Sequence, residues 1–182
     1  MSINIPAPEE FFGHQLGADR KLAHWNKIVD YFWELDKSPM VKVEDLGKST
    51  EGNPFLLAII SSEENMVRLE EIREMSWKLA HPKNVPQEEI DQILENGVAV
   101  VSMSMSIHAT EVGGTQMAPE LAYELITLPM NKETLDNTVL LMFPCFNPDG
   151  QIMVTEFYEK YLGTEYEGTS PPMLYHKYTG HD

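Results

Sequence analysis

The chain has 182 residues, with 13 Lys and Arg against 29 Asp and Glu and a formal net charge of −16. This charge argues against a surface for nucleic acids or anionic membranes, because both need clustered basic side chains. Hydrophobic residues make up 42% of the chain, as in folded proteins, and the single cysteine excludes an internal disulfide framework. No apolar run is long enough for a transmembrane helix, and residues 1–12 lack the pattern of a signal peptide, so export would require a leader that has already been removed.

Hydrophobic periodicity predicts alternating helices and strands along most of the chain. In chain order we expect an irregular arm over 1–18, a helix over 19–36, strands over 40–46 and 55–60, a helix over 61–80, a helix over 87–95, a strand over 98–107, a helix over 115–128, a strand over 138–143 and a helix over 151–161. This order is typical of a layered α/β domain with a mixed, mostly buried central sheet and helices on both faces.

The end of the chain differs from the rest. Residues 163–182 are rich in Tyr, Gly and Pro and show no apolar period or closing element. A structureless run of this length is unusual inside a compact domain. We therefore expect an arm over 1–18 and, over 19–182, the first portion of a domain that is interrupted within its fold.

His108 and Glu111 are the first candidates for chemistry. They stand three residues apart, directly after the strand expected over 98–107, and Gly113 and Gly114 follow before the next helix. A tight turn can aim an imidazole and a carboxylate at one cation, and both groups are zinc ligands. Sites in α/β sheets lie at the carboxyl ends of strands, which we expect here for an inner strand. The alternative is a solvated His108 and a Glu111 that only stabilises the start of a helix.

The second candidate is the segment Asn147-Pro148-Asp149-Gly150, which follows the strand expected over 138–143. Proline presets φ, aspartate bonds its own backbone and glycine accepts positive φ, so the segment also reads simply as a turn.

Taken together, three segments resemble the M14 family of zinc carboxypeptidases. They are the turn over 47–54 (GKSTEGNP), the His108-x-x-Glu111 pair and the Asn147-Pro148-Asp149-Gly150 segment. The resemblance covers roughly residues 18–182, about the first half of such a domain, whose complete sheet has more strands than this segment can supply. It therefore implies one unpaired sheet edge, which favours self-association. It implies a zinc cofactor, His108 and Glu111 as two of three protein ligands, and hydrolysis of a C-terminal peptide bond in a peptide or small amide substrate.

The resemblance also implies residues that this segment lacks. The third ligand, a histidine, the catalytic glutamate and the Asn-Arg pair that grips the substrate carboxylate would all fall beyond Asp182, so no catalytic residue lies within the segment. The family's arginine soon after Asn-Pro-Asp-Gly has no counterpart, since the last arginine is Arg73. Two alternatives therefore stay open beside the carboxypeptidase: a zinc-dependent deacylase of N-acyl amino acids in the same superfamily, or a non-catalytic binding module on the fold.

The remaining candidates are weaker. His176 and His181 lie in the tail, where we expect solvated loop histidines, and the alternative is that they bind a metal. Surface or helix-end positions are expected for His14, His24 and His81. Cys145, at a strand end, is expected to be a small buried hydrophobe rather than a nucleophile.

Overall fold

A four-stranded sheet forms the centre of the computed structural model, which describes residues 5–172. Its strands are β1 (Val41–Lys48), β2 (Pro54–Ile60), β3 (Ala99–Ser104) and β4 (Thr138–Phe143). The spatial order is β1-β2-β4-β3. β2 pairs antiparallel with both β1 and β4, while β3 pairs parallel with β4. The predicted α/β class with a mixed sheet is therefore confirmed.

Helices connect and flank these strands within the described residues. They are α1 (Pro8–Phe12), α2 (Trp25–Leu35), α3 (Glu63–Met66), α4 (Leu69–Ala80), α5 (Gln87–Asn96), α6 (Val112–Thr127), α7 (Lys132–Asn137) and α8 (Pro148–Tyr161). Over residues 5–172, none of the helices combines the length and the apolar character that crossing a membrane requires.

The core is built around α2, which contacts β1, β2, α6 and α8. The apolar residues that recur with a helical period along α2 are buried, and Trp25, Ile28 and Phe32 are fully inaccessible to solvent. The helix begins at Trp25 rather than at residue 19. The cause is a tertiary contact: the backbone N–H of Ala23 donates to Gln116 Oε1 at 2.7 Å, and Gln116 Nε2 donates to Ala23 O at 2.9 Å. These bonds hold residue 23 outside the helix.

The arm expected to be irregular contains α1, which corrects that prediction. Pro8 occupies the first turn of this helix, and Gly13 ends it in the left-handed conformation at φ +79°. Phe12 and Leu16 join the hydrophobic core. A five-residue helix is too short to show a period in the sequence, so the pattern could not reveal it. The division of the chain at residue 18 stays a prediction.

The helix expected over 61–80 is two helices, α3 and α4, separated at Val67 and Arg68. Asn65 anchors the first: its Nδ2 donates to Leu135 O and Asp136 O, both at 3.0 Å. These bonds tie the end of α3 to α7, directly before the break between the two helices. In α4 only Ile72 is buried.

β3 was expected to be an inner strand, and this prediction is wrong for the described sheet, in which β3 lies at the edge. Val100 is 41% exposed and Val101 is 44% exposed. Because successive residues of a strand point to opposite faces, both faces of β3 are open among the described residues. The predicted unpaired edge is thus present in this part of the chain, while self-association stays a prediction.

Turns follow α8 as far as residue 172. The predictions for His176, His181 and the rest of 173–182 lie outside the described residues.

Candidate metal centre

His108 and Glu111 converge at the end of β3. His108 Nδ1 lies 3.0 Å from Glu111 Oε1, and the His108 backbone N–H donates to Glu111 Oε2 at 3.2 Å. The side chains are 42% and 55% exposed, so solvent and solutes can reach both groups. An imidazole nitrogen and a carboxylate oxygen at this separation are close enough to contact the same cation, since zinc holds such ligands at about 2.0–2.2 Å.

The loop that carries the pair is closed by its own hydrogen bonds. Ser106 adopts φ +51°, which is rare for a residue with a side chain. Its hydroxyl donates to Glu111 O at 2.5 Å and accepts from the Thr115 N–H at 3.0 Å. An added Cβ on Gly114 would lie 3.3 Å from this hydroxyl. The lack of a side chain at Gly114 therefore allows α6 to lie close to Ser106.

The second motif begins α8. Asn147 is the N-cap, its Oδ1 accepts from the Gly150 N–H at 2.9 Å, and Pro148 occupies the first turn. The segment predicted to form a turn is therefore a helix start. Gly150 is helical, so it does not need a positive φ. Its lack of a side chain instead allows α8 and the loop of the pair to approach closely. A Cβ at Gly150 would lie only 2.5 Å from Ala109 Cβ, within the loop of the pair.

Asp149 links this helix start to the β1–β2 turn, the third motif. Ser49 Oγ donates to its Oδ1 at 2.5 Å, Asn53 Nδ2 donates to Oδ1 at 2.7 Å, and the Glu51 N–H donates to Oδ2 at 3.1 Å. Asp149 is only 5% exposed. The structure thus joins the three motifs. Sequence reasoning missed the role of Asp149, and no local pattern indicates it, because the bonds span 96 to 100 residues.

Cys145 is buried and free. Burial raises the pKa of its thiol from 9.0 to about 11. A thiol that stays protonated at neutral pH is a poor nucleophile, as expected for a small buried hydrophobe.

The other described histidines make separate contacts. His24 Nδ1 accepts from the Asn26 N–H at the start of α2, and the His81 ring stacks on Trp77. His14 lies beside Phe12. Over residues 5–172, no group of three or more His, Cys, Asp or Glu side chains could hold a metal ion. His108 and Glu111 fit zinc by their donor chemistry and spacing, but as a partial set, since a catalytic zinc normally keeps three protein ligands.

A groove of about 730 Å³ opens beside the loop. Thr110, Val112 and Gly113 form its near end, and α6 and α8 contribute Met117, Leu121 and Phe157. Its volume is in the range of sites that bind small molecules or peptide segments.

Comparison with known proteins gives the family. The family model described as zinc carboxypeptidase, of the M14 peptidases, matches residues 28–170. The structure resembles carboxypeptidase A from Helicoverpa armigera, with 18% identity and a TM-score of 0.55, over 81% of this chain and 32% of that one. A metallo-carboxypeptidase from Burkholderia cenocepacia is 15% identical, with a TM-score of 0.47, over 79% of this chain and 33% of that one.

The chain therefore spans about a third of the length of these solved structures. No curated protein matches the sequence. At 18% identity the likeness to the insect enzyme establishes the fold alone, whereas the family model matches well over half of the chain. The chain belongs to the M14 family of zinc carboxypeptidases.

Proposed function

We propose that the protein is a zinc-dependent metallocarboxypeptidase that hydrolyses C-terminal peptide bonds, and that His108 and Glu111 are two of its zinc ligands. The observation that carries this proposal is the 3.0 Å separation of His108 Nδ1 and Glu111 Oε1 at the end of β3. Membership of the M14 family supports it.

The chemistry of the two donors suits zinc. His108 binds a metal as neutral imidazole and Glu111 as ionised carboxylate. When bound, zinc supplies Lewis acidity that polarises a scissile carbonyl and lowers the pKa of a water molecule to about 7. The role of this chain is to fix the two donors. The bonds from the Ser106 hydroxyl to Glu111 O and from Thr115 N–H to Ser106 hold the loop in shape.

The groove beside the loop supports a role in binding substrate. Because Thr110, Val112 and Gly113 border both the groove and the pair, a chain held there would approach His108 and Glu111. We propose that it receives part of a peptide or small amide substrate.

The proposal divides the groups required for catalysis between residues 1–182 and the rest of the protein. A third ligand and a general base are required for turnover, and we propose that both lie beyond Asp182, as the family resemblance implies. We therefore expect the chain of residues 1–182 to bind zinc weakly and to leave substrates intact. Hydrolysis of a C-terminal reporter by residues 1–182, lost on adding a chelator, would contradict this division.

The test of the function uses the complete natural protein. We expect it to release the C-terminal residue of an N-blocked peptide, and we expect His108→Ala to abolish this activity. His81→Ala is the matched control, because His81 is exposed at the end of α4, where its ring stacks on Trp77. Activity on N-acyl amino acids alone would indicate the deacylase, and no stoichiometric zinc in equilibrium dialysis would indicate a binding module. Either result would overturn the proposal.

A further inference from the structure

Asp149 is a buried carboxylate whose hydrogen bonds come from one place. Its donors are Ser49 Oγ, the Glu51 N–H and Asn53 Nδ2, all in the turn between β1 and β2. These donors are neutral, and bonds to an ionised acceptor are stronger than bonds between neutral groups. The position in the first turn of α8 also favours a negative charge. Asp149 is therefore a firm link between α8 and the turn.

The turn itself is well fixed. Ser49 N–H donates to Asn53 O at 2.9 Å, and the Asn53 N–H donates to Ser49 Oγ at 2.9 Å. Ser49 thus accepts a bond within the turn and donates one to Asp149. Because the turn joins two paired strands, it can act as a rigid anchor for the start of α8.

The start of α8 touches the loop of the pair directly. Gly150 follows Asp149, and its absent side chain leaves room for the Ala109 methyl group, which a Cβ would meet at 2.5 Å. Ala109 stands between His108 and Glu111. The Phe146 N–H also donates to Met105 O at 2.7 Å, which ties the two strand ends together. A shift of α8 would therefore move the loop, since packed groups leave little free space.

We propose that Asp149 is a positioning residue for the His108–Glu111 pair, which it holds in place from the β1–β2 turn through the contact of Gly150 with Ala109. That the positioned pair binds a divalent cation rests on the proposed function.

The test combines two measurements on the chain of residues 1–182. The variants are Asp149→Asn and Ser49→Ala, with Ser49→Thr as the conservative variant that keeps the hydroxyl. The matched control is Ser61→Ala: Ser61 Oγ donates to Leu135 O and Thr138 O, so this variant also loses buried hydrogen bonds, but at the opposite end of β2 and β4.

The first measurement needs no metal. In NMR spectra of the metal-free protein, we expect Asp149→Asn and Ser49→Ala to shift or broaden the resonances from His108 to Glu111 and to weaken the NOE between the Ala109 methyl and Gly150. Ser49→Thr and Ser61→Ala should leave these signals as in the wild type. Unchanged signals in both Asp149→Asn and Ser49→Ala, or changes of equal size in Ser61→Ala, would overturn the inference whether or not zinc binds.

The second measurement is zinc affinity, by competition with a chromophoric chelator. Removing a group that orients ligands typically costs about 10–100-fold in metal affinity, and for this more distant group we expect about tenfold for Ser49→Ala and Asp149→Asn. Ser61→Ala should stay within about twofold of the wild type. Wild-type affinity in both altered variants would contradict the inference. No zinc binding by the wild-type chain would contradict the proposed function instead, leaving the NMR result to decide the inference.

Discussion

Replacing Gly150 with alanine sets two opposing effects against each other. Alanine in a helix is favoured over glycine by about 1 kcal/mol. The added Cβ, however, would lie 2.5 Å from Ala109 Cβ and 2.8 Å from Asn147 Nδ2. Carbon atoms in contact prefer about 3.5–4.0 Å, so the helix start and the loop must separate by roughly 1 Å. Overpacking of this kind costs about 1–3 kcal/mol. Subtracting the gain from this cost leaves an expected net loss of up to about 2 kcal/mol for Gly150→Ala.

Gly113→Ala is the matched control. Gly113 also lies in the first turn of a helix, α6, but a Cβ there meets nothing within 4 Å. We expect this variant to keep or gain stability, by up to about 1 kcal/mol. Urea unfolding followed by circular dichroism gives both free energies of unfolding. A Gly150→Ala variant as stable as or more stable than Gly113→Ala would refute the close contact between α8 and the loop.

Three further predictions concern other parts of the molecule. Burial raises the pKa of the Cys145 thiol from 9.0 to about 11, so the unfolded chain loses this proton at a lower pH than the folded protein does. The free energy of unfolding should therefore fall between pH 9 and 11, by up to about 3 kcal/mol. Cys145→Ala should remove this part of the pH dependence, and an unchanged slope would contradict the burial argument. Gln116→Glu would place a carboxylate oxygen against Ala23 O, which should lower the free energy of unfolding by about 2 kcal/mol at pH 7. Thermal unfolding should show part of this stability recovered at pH 5, and equal stability at both pH values would contradict the prediction. Val101→Lys on the open β3 edge should reduce concentration-dependent self-association in sedimentation velocity; association equal to the wild type would argue against that edge.

Local sequence patterns correctly predicted those elements whose apolar residues are the ones buried in the structure. β4 has the predicted bounds, because an apolar run is closed by Asn137 and Pro144. The helical period over α2 likewise matches its buried face. The start of α2 was not predicted correctly, because the Gln116 bonds to Ala23 come from a residue far along the chain. The apolar pattern of β3 shows that the strand suits burial, but it does not reveal which neighbours cover it.

The same distinction holds for the candidate site. The spacing of His108 and Glu111 predicted that their side chains would converge, and the two groups do lie together. Asp149 was placed in a turn motif, but its three donors lie about 100 residues away, so their pairing depends on the folded sheet. Gly150 was assigned to a positive φ, whereas its actual role is steric and emerges only once Ala109 is placed beside it.

The most direct test of the central claim is anomalous diffraction at the zinc edge from crystals of residues 1–182 soaked in zinc. We predict a peak within about 2.0–2.2 Å of both His108 Nδ1 and a carboxylate oxygen of Glu111, and no such peak in crystals of Glu111→Gln. A wild-type crystal with zinc bound elsewhere, and with these two side chains hydrogen bonded only to protein or water, would contradict the account.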